Sequence, residues 1–105
     1  MKITFDKEYL SELFHTGKCS DKKHRFQPQI IKRYIRVLNL MSSLDNIEAL
    51  FRYNSLNYEV LTGDKKGVES VRVNDQYRIE FNSREVDGEE ILTICNILDL
   101  TNHYK

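Results

Sequence analysis

The stretch that decides the fold runs Leu61-Thr62-Gly63-Asp64-Lys65-Lys66-Gly67-Val68-Glu69-Ser70-Val71-Arg72-Val73-Asn74-Asp75-Gln76-Tyr77-Arg78-Ile79-Glu80-Phe81. Residues alternate on either side of a short polar turn, Asn74-Asp75-Gln76. Successive strand residues face opposite sides of a sheet, so Val71, Val73, Ile79 and Phe81 read as its apolar positions. Arg72 and Arg78 lie on the other parity, each three residues from Asp75. A hairpin centred there sets the two arginines opposite one another, with Cβ atoms about 5 Å apart. Like charges so placed destabilise a sheet unless an anion lies between them, and a guanidinium fork suits phosphate. Gly63-Asp64-Lys65-Lys66-Gly67 brings two more cations to the start of the same hairpin.

Working outward, the alternation extends to both sides. Strands are expected at 56–61, 68–73, 77–82 and 90–98, with turns at Gly63, Gly67, Asn74-Asp75 and Asp87-Gly88. Short connections make these four antiparallel neighbours. Before Asn54-Ser55 the period is helical. Residues 3–5 suggest a short first strand, and Asp6 is positioned to cap a helix over 7–14 whose Leu10, Leu13 and Phe14 share a face. Gly17 is a helix stop. Gln27-Pro28 opens the main helix, where Ile31, Tyr34, Ile35, Leu38 and Met41 form an apolar stripe and Lys32, Arg33, Arg36 and Asn39 lie off it. Ser43 is expected to cap a third, shorter helix through Ile47, Leu50 and Phe51. Helices followed by a meander imply an α+β architecture, one domain over 1–105, with helices on one face of a curved, mainly antiparallel sheet.

Hydrophobic residues make up 40% and charged residues 30% of the 105, the balance of a folded soluble domain. No apolar run approaches the roughly 20 residues of a membrane span, and the first residues carry no apolar signal segment, so a cytoplasmic protein is expected. The two cysteines, Cys19 and Cys95, are too few for a disulfide framework; Cys95 sits in an apolar strand and reads as a buried thiol. Net charge is zero but unevenly spread. Residues 18–36 hold seven cations (Lys18, Lys22, Lys23, Arg25, Lys32, Arg33, Arg36) against Asp21 alone, leaving nine cations and fifteen acids elsewhere. Such asymmetry is either a footprint for a polyanion or a solvated helix face with a charged loop.

Nothing in the chain has the spacing of a metal centre or a nucleotide loop. His15, Cys19 and His24 lack a fourth ligand, and no glycine-rich phosphate loop, nucleophile elbow or carboxylate pair is visible, so no metal and no cofactor are expected. His103 lies at the C-terminus, in Asp99-Leu100-Thr101-Asn102-His103-Tyr104-Lys105, and an imidazole titrating near neutrality can move protons; a frayed tail residue is the plainer alternative. Acids such as Glu69 and Glu80 offer the hairpin cations an ordinary role, as cross-strand ion pairs on a solvated sheet face. Of the six tyrosines, Tyr77 has the parity opposite to Arg78 and reads as core.

The pattern L-x-G-D-K-K-G-x-x-S-V-R-V-N-D-Q-Y-R-I-x-F, with a C-terminal histidine, resembles the RelE/ParE superfamily of bacterial toxins, in particular the HigB-type branch known as plasmid-maintenance killer proteins. The resemblance spans essentially the whole chain, the N-terminal third in layout only. It implies that the first strand joins the sheet. It also implies a type II toxin that acts as a ribosome-dependent mRNA endonuclease, metal-independent, with the substrate's 2′-hydroxyl as nucleophile. Carried onto this chain, Arg72 and Arg78 hold the scissile phosphate, and Lys65 or Lys66 positions the RNA backbone or stabilises developing charge. His103 donates or accepts the proton, with Asp99 and Tyr104 assisting. Lys22, Lys23, Arg25, Lys32, Arg33 and Arg36 would face RNA, with mRNA in the ribosomal A site and ribosomal RNA as partners. This chain departs from the family pattern at its end, where Thr101 and Asn102 precede His103 and Tyr104 follows. The implied protein partner is a HigA-like antitoxin, which would carry any promoter binding, since this chain has no DNA-reading helix pair. ParE-like gyrase inhibition and a non-catalytic RNA- or protein-binding module are the competing readings.

Overall fold

The computed structural model describes residues 1–102; His103 and Tyr104 lie outside them. Strand β1 (Lys2–Phe5) is followed by helices α1 (Glu8–Thr16) and α2 (Pro28–Ser43), then by 3-10 turns at Ile47–Arg52 and Asn54–Leu56. The meander follows: β2 (Glu59–Val60), β3 (Glu69–Arg72), β4 (Arg78–Val86) and β5 (Leu92–Thr101). The five strands form one open sheet in the order β1-β5-β4-β3-β2. The meander is antiparallel throughout, and β1 joins the far edge parallel to β5, with Ile3 opposite Cys95. The α+β architecture and the place of the first strand are therefore as expected.

The core is built from the helix stripes and the apolar strand parity. Leu10 and Leu13 of α1, Tyr34, Leu38 and Met41 of α2, and Val71, Ile79, Phe81, Cys95 and Ile97 of the sheet are all fully buried. The Tyr34 hydroxyl donates to the carbonyl of Leu10 at 2.8 Å, tying the two helices where burial would otherwise leave a polar group unpaired. The stripe on α2 is rotated from the expected one: Ile30 and Val37 are buried, while Ile31 and Ile35 are only half-buried at its margin.

Helix boundaries also differ for identifiable reasons. Asp6 does not cap α1, because its backbone N–H is still bonded to the Ile97 carbonyl at 2.9 Å; the helix begins after Lys7, which supplies no side-chain cap. Gly17 ends it in the left-handed region at φ 71°, as expected. Ser43 belongs to the last turn of α2, its hydroxyl donating to the Leu40 carbonyl at 2.6 Å. The next element is capped by Asn46 instead, whose side-chain oxygen accepts from the Ala49 N–H at 3.0 Å. That element is a 3-10 turn and leaves Phe51 exposed rather than buried.

In the sheet, the strand expected over 56–61 shrinks to two residues. Leu56 is drawn into the core by the turn before it, and Asn57 takes a left-handed conformation at φ 43° that breaks the extended run. At the other end β4 and β5 continue to the pair Val86 and Leu92. Between the pairs Glu80–Asp99 and Phe81–Ile97 the register shifts, so β5 carries a bulge at Leu98. The extra residue lets Ile97 and Leu100, three apart, both be buried.

Candidate functional site

Arg72 ends β3 and Arg78 begins β4, and their Cα atoms are direct partners across the hairpin. Among the described residues, each arginine has acceptors of its own. Arg78 is buried, only 5% exposed. Its Nε donates to Ser70 Oγ at 2.7 Å, and Nη2 donates to the Asn57 carbonyl at 2.6 Å and the Ser70 carbonyl at 3.3 Å. The Glu59 carboxylate lies 3.5 Å from the same nitrogen. The left-handed twist at Asn57 is what aims that carbonyl at the guanidinium. Arg72 is different in kind. Its side chain is 41% exposed, with Nε on the Asn74 carbonyl at 3.2 Å and Nη2 paired to Asp75, a carboxylate that is 91% exposed.

Lys65 stands in a 3-10 turn at Gly63–Lys65, and its ammonium donates to both Glu80 oxygens at 3.0 Å. Lys66, the next residue, is exposed. The ordinary role weighed for Glu80 as an ion-pair partner of a hairpin cation is realised, but not on a solvated face: Glu80 is 5% exposed. Glu69 is likewise buried and serves a different purpose. It accepts from the Tyr58 hydroxyl at 2.6 Å and from Ser83 N–H and hydroxyl at 2.7–2.8 Å, joining β3 to β4 and to the loop before β2. Burial and that carboxylate push the Tyr58 hydroxyl's ionisation far above its ordinary value.

Asp99 is opposite Glu80 in the β4–β5 register, and Thr101 is opposite Arg78. The last strand therefore runs directly beside the hairpin, and Thr101 is two residues before His103 in sequence. Asp99 Oδ1 accepts from the Tyr9 hydroxyl of α1 at 2.6 Å and from the Leu100 N–H at 2.9 Å. Burial first, and then the Asp99 carboxylate, raise the Tyr9 pKa far above its ordinary value. His24 stacks flat on Tyr9, with ring centroids 3.7 Å apart and planes 8° from parallel, and its Nδ1 lies 2.9 Å from Asp21. Asp21 is held ionised below the usual carboxylate range by the Lys23 backbone N–H and then by His24. Asp99 thus has a tyrosine from the N-terminal third as its hydrogen-bond partner, with His24 stacked on that tyrosine, and sequence reasoning missed both. No local pattern could have found the tyrosine, because the contact spans 90 residues of chain.

The expected RNA-facing cations Lys22, Lys23, Arg25, Lys32, Arg33 and Arg36 are all exposed. The structure divides them: Arg33 and Arg36 open onto a cleft that also receives Arg72, while Lys22, Lys23 and Arg25 belong to the loop between the helices. Tyr77 is half-buried against the core and meets Phe26 edge-on at 5.8 Å, consistent with its expected packing away from the cations. Cys95 is fully buried, and desolvation pushes its thiol up to about 12. Among the described residues there is no cluster of three or more His, Cys, Asp or Glu side chains that would hold a metal ion, and no helix long and apolar enough to cross a membrane.

The fold has a solved counterpart in a structure titled YoeB/ParE toxin from Agrobacterium tumefaciens. The two superpose with a TM-score of 0.55 at 17% identity over 99% of this chain and 100% of the other. At that identity the likeness speaks for the fold alone. No curated protein matches the sequence. A family model, HigB-like toxin, described as RelE-like toxin of the type II toxin–antitoxin system HigB, matches residues 3–95. The matched span contains Lys65, Arg72 and Arg78 and stops short of Asp99, His103 and Tyr104. With nearly the whole chain matched and the sheet order established, this chain belongs to the HigB-like, RelE-like toxins of type II toxin–antitoxin systems.

Proposed function

We propose that this toxin is a metal-independent endoribonuclease that cleaves mRNA in the ribosomal A site, and that it acts in the cytoplasm. The observation that carries the reading is the register Arg72–Arg78–Thr101 across three adjacent strands, with Lys65 fastened to Glu80 and Glu80 opposite Asp99. This arrangement supports convergence of a cation set with the strand that leads to His103. The substrate's 2′-oxygen loses its proton and attacks the adjacent phosphorus; the bond to the 5′-oxygen breaks, and that oxygen takes up a proton. The products are a 2′,3′-cyclic phosphate and a 5′-hydroxyl end. The phosphorus passes through a five-coordinate, more negative state, which positioned cations stabilise better than water does. Arg72 takes the phosphate by exchanging its exposed Asp75 partner, an ion pair of the kind worth less than about 1 kcal/mol. Arg78 supplies a fixed charge behind it, and Lys65, oriented by Glu80, meets the developing charge. His103 moves the proton, with Asp99 and Tyr104 assisting. Lys66 positions the RNA backbone, and Lys22, Lys23, Arg25 and Lys32 contact ribosomal RNA phosphates. A HigA-like antitoxin is the partner that restrains the activity.

The test is induced expression followed by mapping of mRNA 5′ ends, with Arg72→Ala and His103→Ala assayed on translating ribosomes. Cleavage inside translated codons, lost in both variants, is expected. Growth arrest with intact mRNA and a DNA-damage response would replace this reading with gyrase inhibition. Full cleavage by both variants would remove the site assignment, and no arrest at all would leave a binding module.

A further inference from the structure

Along β4, Arg78, Glu80, Asn82 and Arg84 alternate with the fully buried Ile79 and Phe81, so Asn82 and Arg84 share with Arg78 the sheet face opposite the helical core. On that face the register sets two rows across three strands. Thr4, Asn96 and Asn82 are partners in one row, and Lys2, Ile94 and Arg84 in the next. Thr4, Asn82, Ser83, Arg84, Ile94 and Asn96 line a hollow of about 350 Å³.

A polar sheet face is stable in water without a ligand, so exposure alone assigns nothing here. The free valences of this hollow say more. The Thr4 hydroxyl donates to Asn96 Oδ1 at 2.9 Å, which fixes that side chain and leaves its NH2 group to donate elsewhere. Among the described residues, neither that group nor the Asn82 amide has a hydrogen-bond partner. Arg84 and Lys2 are exposed and, among the described residues, make no ion pair. Two unpaired cations and two unpaired amides suit a ligand that is anionic and carries donors and acceptors on a flat edge. A nucleotide has that chemistry, and guanidinium planes stack on bases. A protein segment docks by burying apolar surface at a desolvated centre. Here Ile94 is the one apolar residue in the lining, and the pair Val86–Leu92 lies outside it.

Spacing favours the same ligand. Residues two apart on one strand face are roughly 7 Å apart, close to the phosphate-to-phosphate step of an extended single strand. A strand that starts at Arg78 and follows β4 reaches Asn82 after roughly 14 Å. The acid between them, Glu80, is already paired with Lys65 at 3.0 Å.

We propose that this hollow is a second RNA subsite. A base of the bound strand lies on Ile94 and Arg84 and is read by the Asn82 and Asn96 amides, while Lys2 meets its phosphate. The proposal deepens the function proposed above and rests on it for the identity of the strand as mRNA.

The test is fluorescence-anisotropy titration of the purified toxin with 2′-O-methyl hexanucleotides of A, C or U, which lack the free 2′-hydroxyl and cannot be cleaved. Asn82→Ala and Arg84→Ala are compared with the parent; both positions are exposed, so folding is not at stake. The parent is expected to discriminate among the three by about fivefold or more, and Asn82→Ala to narrow that spread to about twofold. Arg84→Ala should weaken all three alike and lower the slope of log affinity against log salt by roughly one. Parent-like affinity and discrimination in both variants would overturn the proposal, as would no binding of any of the three by the parent at low salt. Antitoxin affinity lost in Arg84→Ala with oligonucleotide affinity unchanged would overturn it in favour of a protein-facing surface. Because these oligonucleotides are not cleaved, loss of the endonuclease reading would leave the binding result standing, and ribosomal cleavage by the parent beside unchanged variant binding would sink this proposal alone.

Discussion

The Tyr9 hydroxyl of α1 donates a 2.6 Å hydrogen bond to Asp99 Oδ1 of β5, across 90 residues of sequence. It fastens the helical layer to the strand that leads out beside Arg78. The bulge at Leu98 immediately precedes Asp99, and bulges re-aim the side chains that follow them. Removing the hydroxyl leaves Asp99 with the Leu100 N–H and costs a charge-assisted bond. Tyr9→Phe is expected to lose about 1–3 kcal/mol of stability in urea denaturation.

The same contact sets a pH limit. The Tyr9 pKa is raised in the folded state by burial and by Asp99, so its contribution is fully present below the ordinary tyrosine value near 10. It is lost as pH rises above that value, because the unfolded chain then releases a proton that the folded chain retains. Stability should fall more steeply above pH 10 in the parent than in Tyr9→Phe, as read from denaturation midpoints across the alkaline range.

Arg72 and Arg78 are equivalent in register and unequal in structural weight. Arg78→Ala removes the hydrogen bonds that a buried guanidinium donates to Ser70 and to the Asn57 carbonyl, and should cost about 3 kcal/mol or more. Arg72→Ala breaks an exposed pair and should cost less than about 1 kcal/mol. If the proposed chemistry holds, both variants lose RNA cleavage, yet thermal unfolding separates them. Equal destabilisation by the two would contradict the partners described here.

The two thiols should report the core. Cys95 is fully buried with its ionisation pushed up to about 12, whereas Cys19 is half-exposed. Maleimide at mildly alkaline pH is expected to label Cys19 alone, by mass spectrometry, until the protein is unfolded. Rapid labelling of Cys95 under native conditions would mean that the β1–β5 edge opens.

Ribosome binding should depend on salt through the exposed cations of the interhelical loop. Neutralising Lys22 or Lys23 should lower the slope of log affinity against log salt by roughly one each. An unchanged slope in the double variant would show that the loop does not meet phosphate.

The hairpin was legible because its information is local. Alternation around Asn74-Asp75-Gln76 sets both the register and the parity, and the Arg72–Arg78 pair was readable from it alone. The same holds for Gly17 as a stop and for Pro28 at the start of α2. The α1 cap, the α2 face and the extent of β2 were not legible, since each was decided by a distant partner. The Ile97 carbonyl retained Asp6, Val37 rather than Ile35 was buried, and Leu56 joined the core.

The sequence by itself determined the meander, the hairpin register and the placing of cations on it, because strand period and turn chemistry act over a few residues. Only the tertiary structure decided what those cations do. It enclosed Arg78 with Ser70 and Asn57, fastened Lys65 to Glu80, and turned Arg72 toward Arg33 and Arg36 across a cleft. It also brought Tyr9 to Asp99 and stacked His24 on Tyr9. The reason is physical: a buried charge takes whichever acceptors the packed chain brings within hydrogen-bond reach, and those acceptors come from segments whose distance in sequence carries no signal of their meeting.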